Sequence, residues 1–167
     1  MEIRTQRLVL RPYEPAFLED YFQEFTEEIV KYQYPDPFPD MEAAGQALSG
    51  FARDMEAGDM LELVILSQSG EFLGSAEVFG LREEDPELGL WLKSAAQGAG
   101  YGYEALRAVV DYLNGLGKYR HYIYEADVRN IPSLRLAEKF RFEKGELQEV
   151  ATESGKELVL QVYRIFE

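Results

Sequence analysis

The sequence predicts one α+β domain spanning residues 1–167, built on a central mixed, mostly antiparallel sheet of about seven strands with helices on both faces. Three observations carry that expectation. Seven runs have the length, the β-branched or aromatic content and the flanking turn residues of strands. Between them lie segments whose apolar residues recur every three or four positions, as on one face of a helix. Nothing in the chain reads as a linker, a repeat or a low-complexity stretch, so these elements share one core.

Taken in order, Arg7–Arg11 is a short strand that stops at Pro12. Pro15 opens the first helix, since its ring already fixes the φ that a first helical turn needs. Phe17, Leu18, Tyr21, Phe22 and Phe25 share the apolar face of that helix. The segment from Tyr32 to Pro39 holds three prolines, which remove donors and push their neighbours into extended backbone, so it is a loop. Asp40 suits the cap of a second helix, with Ala44, Leu48, Phe51 and Met55 inward and Gly58 ending it. Strands Leu61–Leu66 and Phe72–Phe79 follow, joined by the turn Gln68-Ser69-Gly70. The loop Arg82–Pro86 leads to a strand over Glu87–Leu92. A long helix then carries Ala105, Leu106, Val109, Val110 and Leu113 on one face, until Gly115 and Gly117 break the period. Tyr119–Ala126 is a strand rich in aromatics, and Pro132–Phe140 a short helix. Two last strands, Phe142–Val150 and Leu158–Phe166, flank the hairpin turn Glu153-Ser154-Gly155-Lys156.

Composition narrows the function. The chain has no cysteine, which excludes a disulfide framework, a thiolate nucleophile and a Cys-based metal site. A net charge of −14 argues against binding nucleic acid or an anionic membrane through a basic surface. It favours a cationic partner by long-range attraction. No apolar run approaches the roughly 20 residues that span a bilayer, and the first residues do not read as a secretion signal, so a cytoplasmic protein is expected.

The segment Gln97-Gly98-Ala99-Gly100-Tyr101-Gly102 stands where the Glu87–Leu92 strand gives way to the long helix. Its glycines leave the backbone bare at a helix start, where amide N–H groups and the positive end of the helix dipole can face an anion. A phosphate or pyrophosphate ligand is expected there. The dinucleotide fingerprint has a different spacing and needs βαβ repeats that this chain lacks.

The pattern Gln97-x-x-Gly100-x-Gly102 after Glu-Leu-Gly-Leu-Trp-Leu resembles the acetyl-CoA-binding motif of the GNAT N-acetyltransferases, Gln/Arg-x-x-Gly-x-Gly/Ala. A second block, Asn130-Ile131-Pro132-Ser133 through Glu138-Lys139-Phe140-Arg141-Phe142, is similar to the Asn-x-x-Ser…Glu-Lys-x-Gly-Phe segment of the branch that acetylates ribosomal-protein N-termini at alanine or serine. Arg141 stands where that family often has glycine. The resemblance implies acetyl transfer from acetyl-CoA to a primary amine, by direct attack in a ternary complex, with a protein N-terminal amine as the leading acceptor and no metal. A small-molecule amine acetyltransferase and a catalytically silent acyl-CoA-binding domain are the alternatives. A monomer or a homodimer is expected.

The resemblance also assigns roles. Gln97, Gly98, Ala99, Gly100, Tyr101 and Gly102 would receive the pyrophosphate, and the pantetheine arm would lie along Leu90, Trp91 and Leu92, with the sheet opening after Leu92 and a backbone N–H near Leu92 as oxyanion donor. Asn130 would touch the cofactor, and Ser133 would lie near the sulfur and protonate it. Many members place a tyrosine in the helix after the second motif, but Ala137 and Phe140 occupy those positions here. Two carboxylates are candidates for the base. Glu77 sits mid-strand among apolar residues, where a charge is out of place unless hydrated or paired; Glu87 matches a position where this branch often carries Glu. Tyr32, Tyr34 and Phe38, on the proline-stiffened loop, are candidates to hold an ammonium by cation–π attraction. Asn130 can equally serve as a helix cap, Ser133 as a first-turn hydroxyl, and the loop aromatics as a lid over the core.

Overall fold

In the computed structural model, which describes residues 1–166, the chain runs β1 (Ile3–Arg4), β2 (Leu8–Pro12), α1 (Leu18–Glu24), α2 (Met41–Glu56), β3 (Met60–Ser67), β4 (Phe72–Phe79), β5 (Glu87–Leu92), α3 (Tyr101–Gly115), β6 (Tyr122–Asp127), α4 (Ile131–Ala137), β7 (Phe142–Ala151) and β8 (Glu157–Ile165). All eight strands form one sheet in the order β1-β2-β3-β4-β5-β6-β8-β7. The seven expected strands are all present. The eighth, β1, pairs only Ile3 with Leu10 and Arg4 with Val9, and two residues are too few to show a period.

Local chemistry sets the element ends. The Asp40 side chain accepts from the Ala43 N–H at 2.8 Å and starts α2 as expected. Pro15–Phe17 forms a 3₁₀ turn before α1. The last helix stops at Ala137 rather than Phe140, because the Lys139 and Phe140 amides bond back only three residues, to Leu136 and Ala137. Tyr119 lies ahead of β6 instead of within it, its phenol donating to the Leu81 carbonyl at 2.8 Å.

Each strand buries alternate residues on opposite faces. On one face Leu106, Val109, Val110 and Leu113 of α3 and Ala137 of α4 pack with Leu8, Leu63, Ile65, Tyr122 and Tyr124. On the other, Tyr21 of α1 and Leu48 of α2 pack with Val9, Val64, Leu66 and Trp91.

Every neighbouring strand pair is antiparallel except β5 and β6. These two pair in parallel only at Glu87↔Ile123 and Leu88↔Tyr124. Beyond that point β5 follows β4 to Leu92, and β6 follows β8 to Asp127. The sheet therefore opens after Leu88, not after Leu92 as the sequence suggested. Gly74 helps hold β5 on β4, since a Cβ there would stand 2.1 Å from the Trp91 carbonyl oxygen. Held that closely, β5 diverges from β6 four residues before its end.

Candidate active site

In an antiparallel ladder, alternate residues aim both backbone polar groups at the same neighbour. The Lys93 N–H bonds to Leu73 in front of β4, at 2.8 Å, so the even-numbered Leu90 and Leu92 face the opening instead. Side-chain amides cover their carbonyls: Gln33 Nε2 donates to Leu90 at 3.0 Å and Gln97 Nε2 to Leu92 at 3.1 Å. Their N–H groups remain aimed into the cleft as donors. Trp91 differs. Its backbone turns toward β4 and its indole sits in the aromatic core, with Nε1 donating to the Tyr21 hydroxyl at 3.3 Å.

The glycine turn has the conformation its residues allow. Gly98 and Gly100 have φ of 81° and 84°, left-handed backbone that a side chain would strain. Gly100 is the N-cap of α3 and supplies no side chain to it, and the first helical bond, Glu104 N–H to Gly100, is 3.2 Å. The amides of Tyr101, Gly102 and Tyr103 thus point out of the helix start. Gly102 serves packing, since a Cβ there would meet Leu90 at 3.2 Å and Leu92 at 3.7 Å. Arg7 arrives from the edge of β2. It donates to the Ala99 carbonyl at 2.8 Å and to Glu104 at 2.7 Å, with its guanidinium 4.5 Å from the Tyr101 ring centroid. Sequence reasoning gave Arg7 no role, because no local pattern links it to a turn 92 residues away. Bare left-handed glycines, an uncapped helix start and an adjacent cation fit the pyrophosphate of CoA.

Asn130 caps α4, its Oδ1 accepting from the Ser133 N–H at 3.4 Å. The Ser133 Oγ lies 2.5 Å from the Tyr124 hydroxyl. Burial pushes this phenol up to about 12, against the lowering effect of its bond to Ser133. No tyrosine stands at the expected places in α4, but β6 brings one to the same serine. The alternation of Tyr122, Tyr124 and Ala126 was the signal, and it shows only once β6 is placed beside β5.

A cavity of about 670 Å³ opens at the divergence. Leu88, Leu90, Tyr124, Asn130 and Ser133 line one part of it, and Glu62, Glu77, Glu87 and Glu125 another, with no lysine or arginine among the described residues of its lining. Glu62 and Glu77 are cross-strand partners, and Glu77 in turn pairs with Gly89. Burial raises Glu77 to about 7. Burial, then the neighbouring Glu77 charge, holds Glu62 well above the usual carboxylate range. Burial and Glu125 raise Glu87 more gently. Ser75 donates to one oxygen of Glu62, and the other, Oε2, has no partner.

The loop after α1 forms the outer wall, with Tyr32, Tyr34 and Phe38 all in the lining. The Phe38 ring packs 5.5 Å from that of Phe25 and 6.4 Å from that of Tyr21, as a lid over the core. Arg129 lies 4.8 Å from the Tyr32 ring centroid, and Tyr34 is 63% exposed. Asp36 ties this wall to the β7–β8 hairpin through Lys156 Nζ at 3.2 Å, the Ser154 N–H at 3.3 Å and the Thr152 hydroxyl at 3.4 Å.

An anion cradle beside an unpaired strand edge is what a long, phosphorylated thioester requires, and it sets this protein among the CoA-dependent acyltransferases. The chain belongs to the acetyltransferase (GNAT) domain family, whose sequence model matches residues 7–143. It is an acetyl-CoA-dependent N-acetyltransferase. Solved structures share the whole fold. A ribosomal-protein alpha-N-acetyltransferase, RimL, in complex with coenzyme A superposes with a TM-score of 0.88 at 18% identity, over 99% of this chain and 98% of that one. The Salmonella typhimurium acetyltransferase that modifies the N-terminal serine of a 50S ribosomal protein gives 0.81 at 18%, over 100% of both chains. Spermidine N-acetyltransferase from Vibrio cholerae, in complex with CoA and spermine, gives 0.82 at 15%, over 97% of both. No curated protein matches the chain by sequence.

Proposed function

We propose that this enzyme acetylates a primary amine on a small cationic acceptor, by direct attack in a ternary complex. The observation that carries the proposal is one continuous cavity, joining the open edge of β5 and the Tyr124–Ser133 pair to four carboxylates. Acetyl-CoA supplies a thioester whose carbonyl carbon accepts the amine. The Gln97–Gly102 amides and Arg7 hold the pyrophosphate. The Leu90 and Leu92 N–H groups hold the pantetheine arm and polarise the carbonyl; removing one donor of that kind costs about 2.7–4 kcal/mol in other enzymes. Glu87, at the start of the divergence, takes the ammonium proton and frees the amine lone pair. The C–N bond forms as the C–S bond breaks. Ser133 passes its proton to the sulfur and is resupplied by Tyr124, and the proton shed by nitrogen replaces the one given up. The wall tied down by Asp36 favours a small acceptor.

A second reading, acetylation of a protein N-terminal amine, draws support from the likeness to ribosomal-protein acetyltransferases over the full chain. An acceptor panel read by thiol release separates the two. Small basic amines should release thiol from acetyl-CoA, and neutral or acidic ones should not. Release with peptides beginning in serine or alanine, and with no small amine, would make the acceptor a protein N-terminus.

A further inference from the structure

We infer that the acceptor carries two cationic groups, as a di- or oligoamine does, and that Glu62 and Glu77 hold the one that is not acetylated. This rests on the acceptor reading above and names its substrate class. The carboxylates form a row across the sheet, with Glu62, Glu77 and Gly89 facing one another on β3, β4 and β5. The ladder to β6 ends at Leu88↔Tyr124, so Glu125, one residue further on, lies across the opening from Gly89. Two paired-strand spacings of about 4.8 Å set a lower limit of roughly 10 Å between the backbones of Glu77 and Glu125, and the divergence of β5 from β6 widens it. Gly89 leaves the space between them open, and Glu77 leans into it: a Cβ at Gly89 would stand 2.7 Å from Glu77 Oε2. Two separate anionic ends result, Glu62 with Glu77 inside and Glu87 with Glu125 where β5 and β6 part.

An independent observation marks the inner end as a binding position. Glu62 is fully buried and lines the cavity; Ser75 serves one of its oxygens, and the other, Oε2, makes no direct hydrogen bond, with the Tyr21 phenol the neutral donor beside the pair. A buried carboxyl oxygen without a partner is costly, and an ammonium with three donors would satisfy it together with Glu77. Among the described residues no lysine or arginine lines the cavity to supply such a cation. Lys156 is engaged by Asp36, and Arg129 by Asp127 at 2.8 Å. Among the described residues no three His, Cys, Asp or Glu side chains are grouped to hold a metal ion. Burial disfavours charge on both Glu62 and Glu77, and an ammonium between them offsets that cost.

The test compares α,ω-diaminoalkanes of graded length with n-alkylamines of matched length, reading kcat/KM at saturating acetyl-CoA. Wild type should favour the diamine by at least about tenfold and show an optimum length, whereas the monoamine series should show none. Glu62→Gln and Glu77→Gln should each cut the diamine-to-monoamine ratio severalfold, chiefly through the diamine KM, with CoA affinity reporting that the variant is folded. If either variant fails to fold, the length series in wild type decides. Equal use of diamine and monoamine by wild type would overturn the inference and leave transfer to a cationic amine standing. So would a ratio that survives in both variants. If the folded, CoA-binding protein acetylates no amine of either series, the acceptor reading itself falls.

Discussion

Ser133 occupies two roles at once, in the first turn of α4 and at 2.5 Å from the Tyr124 hydroxyl. Capping belongs to Asn130, so the Ser133 hydroxyl is free for chemistry. Ser133→Ala should lower kcat by about 10²-fold, the lower range for positioned acid–base groups, with the KM for acetyl-CoA within about twofold. A lowered melting temperature with normal kcat would assign the hydroxyl to the helix instead. Glu77 gives a pH signature. Its carboxyl titrates near 7 in the fold against 4.5 normally, so the native state binds more protons than the unfolded chain between those values. The contribution of Glu77 to stability should therefore fall as pH rises from about 4.5 to 7 and then level off, by an amount on the order of 3 kcal/mol, while Glu62, held higher still, continues the decline. Melting curves of wild type and Glu77→Gln across that range check it; equal slopes would mean Glu77 is not the group responsible. The partners of these residues mark the limit of what sequence could disclose. Glu77 stood out because a carboxylate interrupted an apolar strand. Glu62 interrupts its own strand in the same way, but its importance comes from facing Glu77 across the ladder, and Tyr124 matters only through a bond to another element.

At the scale of elements, the turn from β5 into α3 was legible in advance because everything it needs is local: two left-handed glycines, an uncapped helix start and a third glycine close against β5. Gly100→Asp adds a Cβ where φ is 84° and a negative charge where the proposed site would receive the pyrophosphate. CoA affinity measured by calorimetry should fall at least tenfold, about 1.4 kcal/mol. Unchanged affinity in a folded variant would remove the cradle from the site. The neighbouring feature, divergence after Leu88 rather than Leu92, was hidden. It depends on how tightly Gly74 lets β4 grip β5, a contact between strands that the spacing of residues along β5 does not encode. The wall of the cavity behaves likewise. Three prolines announced a loop, but its attachment to the hairpin runs from Asp36 to Lys156, across most of the chain. Hydrogen bonds from Ser154, Lys156 and Thr152 outweigh burial and hold Asp36 below its usual range, so the attachment persists at neutral pH.

For the whole molecule, the excess of acidic residues and the acidic cavity act in the same direction, one favouring the approach of cations from a distance and the other suited to the cationic acceptor proposed above. The single parallel contact has a mechanical consequence. Five strands on one side and three on the other share only two residue pairs, so backbone bonding nearly lapses in mid-sheet, and α3 spans the gap from beneath. The apo protein is in that sense two leaves on one spine, and the bound pantetheine arm would supply rungs the chain does not make for itself. Saturating CoA should slow amide hydrogen exchange at Leu90 and Leu92 more than at residues of β2 or β7. At 100 times its dissociation constant it should also add about 2.7 kcal/mol of stability. Uniform slowing throughout the sheet would instead show that the leaves already move as one body. Where the slowing is local, the cosubstrate is a structural member of the enzyme for as long as it stays bound, and its departure after each turnover loosens the sheet along the line where the next acceptor must enter.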